Sequence, residues 1–160
     1  MNNLPQYRII ENEQLKLHPD YLFAYSFSDG FTMHLFGFDL LIENSGKAHL
    51  TSKGFMLEGK HEVIEKTPNF IENFLFYLDE NPFPFENYSF NYDIGMTDIG
   101  SQQIFINWND KSYYFFIEGT GTFFLDNDTS EWKTKLFKLQ KKLLKIALQE
   151  RKLLISKGNK

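Results

Sequence analysis

The chain has 160 residues, a formal net charge of −4 and no cysteine. That length suits about one domain, and the lack of thiols excludes disulfides, cysteine nucleophiles and Cys-ligated zinc or iron–sulfur centres. No apolar run approaches the ~20 residues of a membrane-spanning helix, and Met1-Asn2-Asn3-Leu4-Pro5 has neither the cationic head nor the apolar core of a signal peptide, so a soluble, cytoplasmic protein is expected.

Eighteen Phe, eight Tyr and two Trp make large rings the main core-building material. Residues 1–28 are the hardest to assign. Tyr7-Arg8-Ile9-Ile10 fits a short strand, Leu15-Lys16-Leu17 alternates until His18-Pro19-Asp20 breaks it, and Tyr21 to Phe27 fits strand or helix. From Thr32 to Ile42, the set Thr32, His34, Phe36, Phe38, Leu40 and Ile42 alternates with Met33, Leu35, Gly37, Asp39 and Leu41, which predicts a strand with both faces partly covered. Asn44-Ser45-Gly46-Lys47 is a tight-turn signal, and Ala48 to Leu57 returns as the partner strand. Glu58-Gly59-Lys60 reads as a further turn, followed by a short strand over His61 to Ile64.

Thr67-Pro68 predicts a helix start, with Thr67 as N-cap and Pro68 at the first helical position. Phe70, Ile71, Phe74, Leu75, Tyr77 and Leu78 form its apolar face, and Asn81-Pro82 ends it. Tyr88 to Tyr92 alternates like an edge strand, and Asp93 to Ser101 reads as a loop. Gln103–Trp108 and Ser112–Ile117 predict a hairpin around Asn109-Asp110, with Thr122 to Leu125 as one more short strand.

The C-terminal stretch 130–157 carries the clearest pattern. Trp132, Leu136, Leu139, Leu143 and Ile146 recur at helical spacing, and Asp128 with Glu131 reads as a capping box. From Ser130 onward the chain holds ten Lys/Arg and two Glu, a formal +8, whereas the first 129 residues hold seven Lys/Arg and nineteen Asp/Glu, a formal −12. The element order predicts a single α+β domain. Its mainly antiparallel sheet would have about five to seven strands in a meander and hairpins. Two principal helices would accompany it, the longer one C-terminal, amphipathic and basic.

No residue pattern specifies a reaction. The four histidines, His18, His34, His49 and His61, form no H-x-x-x-H or H-E-x-x-H motif. If the hairpin turns at Ser45-Gly46, His34 faces Leu57 and His49 faces Ile42, too far apart to share a metal. No metal site or cofactor is therefore expected. Asp126 to Ser130 lacks the glycine and the closing acid of a calcium loop, and Gly119-Thr120-Gly121-Thr122 lacks the lysine of a phosphate loop. The pair Asp93 and Asp98, flanked by Gly95 and Gly100, is the one candidate for carboxylate chemistry or cation binding. The expected function is protein binding, as an inhibitor or immunity-type antagonist of a basic or nucleic-acid-handling protein. Acidic surfaces steer basic partners, and Trp and Tyr anchor interfaces. Trp108, Asp110, Tyr113 and Glu118 around the second hairpin, with Asp93 and Asp98, are the candidate binding residues. An enzyme built on those carboxylates and a nucleic-acid binder using the basic helix are the alternatives. The acidic body opposes the latter, because phosphate binding rests on cationic contacts.

Overall fold

The computed structural model describes residues 6–30, 35–90, 99–123 and 130–158. They form β1 (Arg8–Glu11), β2 (Gln14–Leu17), β3 (Tyr21–Ser28), β4 (Gly37–Glu43), β5 (Ala48–Gly54), β6 (Leu57–Ile64), α1 (Asn69–Glu80), β7 (Asn87–Phe90), β8 (Ser101–Trp108), β9 (Lys111–Glu118) and α2 (Glu131–Gly158). β1 and β2 make a separate hairpin, and the other strands form one seven-stranded sheet in the order β6-β5-β4-β3-β8-β9-β7. The α+β architecture with a longer C-terminal helix is thus present. One pairing departs from the expected hairpins: β7 runs parallel to β9, so the sheet is mixed. Its cause is the path of the chain. Between β6 and β7, which are the two edges of the sheet, α1 and the Pro82–Glu86 segment carry the backbone across, a connection no tight turn can make.

The strands segregate two cores. Phe23, Tyr25, Phe27, Phe38, Leu40, Ile42, Ile104, Ile106, Phe115 and Ile117 face the helices, and α1 and α2 cover them with Ile71, Phe74, Leu75, Leu136, Leu139, Leu143 and Ala147. The stripe read on α2 is therefore its packed face, with Trp132 and Ile146 half-buried at its margin. On the other side, Ala24, Leu41 and Phe105 pack against Tyr7, Leu17 and Tyr21, so the β1–β2 hairpin supplies a second, smaller core. Asn107 clamps that hairpin, donating through Nδ2 to the carbonyls of Leu17, His18 and Tyr21, each at 3.1 Å. Between sheet and α2 lies a buried polar knot. Burial raises the Tyr25 phenol well above its ordinary range, so it stays protonated and donates to Gln102 Oε1 at 2.7 Å. Gln140 Nε2 donates to the same oxygen at 2.8 Å, while Gln102 Nε2 donates to the carbonyls of Gly119 and Gly121.

Several local readings are corrected. Thr67 is not the N-cap of α1. Pro68 occupies that position, its carbonyl accepts from the Ile71 and Glu72 amides, and Thr67 Oγ1 donates instead to the Gly46 carbonyl at 2.9 Å. Its hydroxyl fastens the β4–β5 turn rather than the helix. The turn after β5 falls at Phe55-Met56, not at Glu58-Gly59-Lys60, and β6 runs through all three of those residues. Gly59 serves close approach inside the ladder, since a Cβ there would stand 3.0 Å from the Ser52 carbonyl oxygen. His49 faces Leu41 and Val63 rather than Ile42, because Ile42 pairs with Ala48. Thr122 and Phe123 are not in a strand. His34, Leu125 and the Asp128 of the expected capping box lie outside the described residues.

Candidate functional site

The structure separates the residues expected to bind. Trp108 is half-buried and tethered: its Nε1 donates to Asp79 Oδ1 on α1 at 2.7 Å, and Phe76 meets its ring edge-on. Tyr113 is 3% exposed, and its ring packs edge-on against Phe83 in the helix-side core. Asp110 is exposed at the tip between β8 and β9, and Glu118 is half-buried at the far end of β9. Asp110 and Glu118 therefore sit at opposite ends of one strand, and the four side chains do not converge. Asp93 and Asp98 lie outside the described residues.

The opposite end of the sheet carries a different surface. β5 and β6 pair as far as Ser52 and Lys60, then shift register so that Gly54 faces Leu57. The two residues left in the turn, Phe55 and Met56, are 61% and 89% exposed. Met56 adopts φ 57°, in the left-handed region that unbranched but bulky L-residues enter at a cost. Leu35, entering β4 at the same end of the sheet, and Leu153 on α2 are also exposed. Next to this tip, a groove of about 480 Å³ runs between β6 and the last turns of α2, lined by residues including Ser52, Leu57, Lys60, Glu150, Leu153 and Lys157. Lys60 bridges Glu62 at 3.1 Å and Glu150 at 3.3 Å. The hydrogen bond to Glu62, then that to Glu150, holds its ammonium above the ordinary lysine range. Ser52 is buried, and its Oγ has no hydrogen-bond partner among the described residues. A hydroxyl left so costs roughly 1–3 kcal/mol. Sequence reasoning missed this end because Phe55-Met56 has no Gly, Asn or Asp to mark a turn. The available signal was two bulky apolar residues falling between strands whose other positions alternate.

On the far side of the same edge, three side chains form a chain. His49 Nε2 lies 2.7 Å from Glu43 Oε1, and His49 Nδ1 lies 3.2 Å from His61 Nε2. Ser45 Oγ donates to the other Glu43 oxygen at 3.0 Å. The hydrogen bonds from His49 and then Ser45 lower the Glu43 carboxyl below its usual range. Elsewhere, Lys138, Lys141, Lys142, Lys145 and Lys152 are exposed on α2, with Lys138 and Lys142 beside α1 and Lys142 Nζ 5.7 Å from the centre of the Phe70 ring, and none forms an ion pair among the described residues. No helix among the described residues is long and apolar enough to cross a membrane. No protein-family model matches the chain, and no curated protein matches it.

Proposed function

We propose that the protein is a protein-binding module that docks through the Phe55-Met56 tip and the adjoining β6–α2 groove onto an apolar pocket of a partner protein, and so acts as an antagonist of that partner. The observation that carries this reading is the tip itself. Two large apolar side chains stand in water on a turn whose backbone is held at φ 57°. Exposed apolar groups gathered in one place favour interaction surfaces, and a few large side chains carry most of the energy of an interface. The occupant is thus a protein surface offering an apolar cavity for the Phe55 and Met56 side chains. This moves the binding surface away from Trp108 and Tyr113, whose rings are engaged within the fold.

The test is a capture experiment with tagged wild type, Phe55→Ser/Met56→Ser and Asp110→Asn, after nuclease treatment of the lysate. A protein retained in stoichiometric amount by wild type and Asp110→Asn, and lost by the double variant, supports the reading. Equal retention by all three overturns it. Loss from Asp110→Asn alone would restore the acidic tip. Light scattering on wild type and the double variant separates self-association from docking on a different protein. The exposed lysines of α2 support a second reading, binding of a polyanion. Partners lost on nuclease treatment would favour it.

A further inference from the structure

We propose that His49 and His61 form a two-histidine site for a divalent transition-metal ion, a clip fastening the edge strand β6 to β5, with the Glu43 carboxylate orienting His49 from behind. Register brings the pair together. Thr51 faces His61 and His49 faces Val63, so the two histidines are diagonal neighbours on the side of the sheet away from the helices. Their rings are parallel within 5°, and the facing nitrogens at 3.2 Å are much closer than the ring centres at 5.5 Å. The rings therefore meet edge to edge, nitrogen toward nitrogen, rather than face to face. Imidazole nitrogens bind zinc at about 2.0–2.1 Å, so two of them at a tetrahedral angle stand roughly 3.3 Å apart. The pair already has that spacing, and a rotation of the rings out of their common plane, with the His61 proton moved from Nε2, where it is donated to His49 Nδ1, to its own Nδ1, would turn both lone pairs onto one ion.

Glu43 settles which nitrogen is free. An ionised carboxylate only accepts, so His49 carries its proton on Nε2 and, when neutral, leaves Nδ1 bare. That is the carboxylate–histidine–metal arrangement in which an outer acid fixes the tautomer and raises the basicity of the ligand. The carboxylate is itself held by Ser45. His61 is exposed and the His49 side chain is 19% exposed, which leaves the remaining coordination positions open to water. Water is needed there, because no group of three or more His, Asp or Glu converges among the described residues. Imidazole ligands suit zinc, nickel and copper over magnesium or calcium.

The test is calorimetric titration of Zn²⁺, and separately Ni²⁺, into the untagged full-length chain, with thermal unfolding followed in parallel. One ion should bind per chain and raise the unfolding temperature. His61→Ala, at an exposed position that tolerates truncation, should abolish both effects. Glu43→Ala should weaken binding about 10–100-fold, and His18→Ala should leave it unchanged. No binding to wild type, or His61→Ala binding as tightly as wild type, would overturn the site. Equal affinity in Glu43→Ala would overturn the role given to the carboxylate.

Discussion

The two hairpin tips at opposite ends of the sheet are built to opposite rules. At the β8–β9 tip, Asn109 and Asp110 hold φ 51° and 60°, the left-handed pair that a two-residue turn matching the strand twist requires. Asn and Asp tolerate that region. Asp79 accepts from both Trp108 Nε1 and Asn109 Nδ2, tying the tip to α1. At the β5–β6 tip, Met56 occupies the left-handed region without a local hydrogen-bonding side chain, and Phe55 and Met56 are left in water. The first tip uses its polar and aromatic groups for the fold. The second gives up stability and keeps its apolar groups available, which is the expected signature of a surface selected for contact.

This contrast can be broken in order of effect. Replacing Phe55 and Met56 together by Ser should weaken partner binding by about 100-fold or more, as expected when two central anchors are lost, while the urea midpoint stays close to wild type. A midpoint falling together with the binding would make the tip a structural element instead. At the other tip, Trp108→Ala should cost roughly 2 kcal/mol of stability, since a half-buried ring and its hydrogen bond to Asp79 are both lost. It should leave the partner affinity unchanged. Met56→Gly should stabilise the fold by about 1 kcal/mol by relieving the left-handed backbone, read as a higher urea midpoint. The smallest effect belongs to Glu43. Its folded pKa is lowered from 4.5, so the stability it contributes is present above that value and lost as pH falls through the lower folded value. Unfolding midpoints compared between wild type and Glu43→Gln should therefore converge at the acid end and separate above it.

Much of the fold was legible because it rests on local periodicity. The α2 stripe, the Asn44–Lys47 turn and the Asn109-Asp110 hairpin each follow from spacing or turn chemistry within a few residues. What was hidden depends on distant partners. Nothing near Thr67 shows that its hydroxyl serves Gly46, and nothing near Tyr88 shows that its strand will run parallel to β9. Gln102 and Gln140 are fully buried: Tyr25, Gln140 and two glycine carbonyls satisfy Gln102, and Gln140 Nε2 donates to Gln102 and the Gly121 carbonyl, contacts that no local pattern announces. The candidate site suffered most. The turn after β5 falls three residues earlier than expected, and that shift both exposes Phe55 and Met56 and sets the β5–β6 register that puts His49 next to His61. Trp108 and Tyr113 read as anchors from residue type and from their place near an exposed hairpin tip, and only the packing shows that the fold already uses their rings.

The measurement that tests the docking surface most directly is site-specific photo-crosslinking in the native lysate. One chain would carry p-benzoylphenylalanine in place of Phe55, another in place of Asp110. The account predicts a single crosslinked protein from position 55 and none from position 110. A crosslink formed from position 110 and absent from position 55 would contradict it.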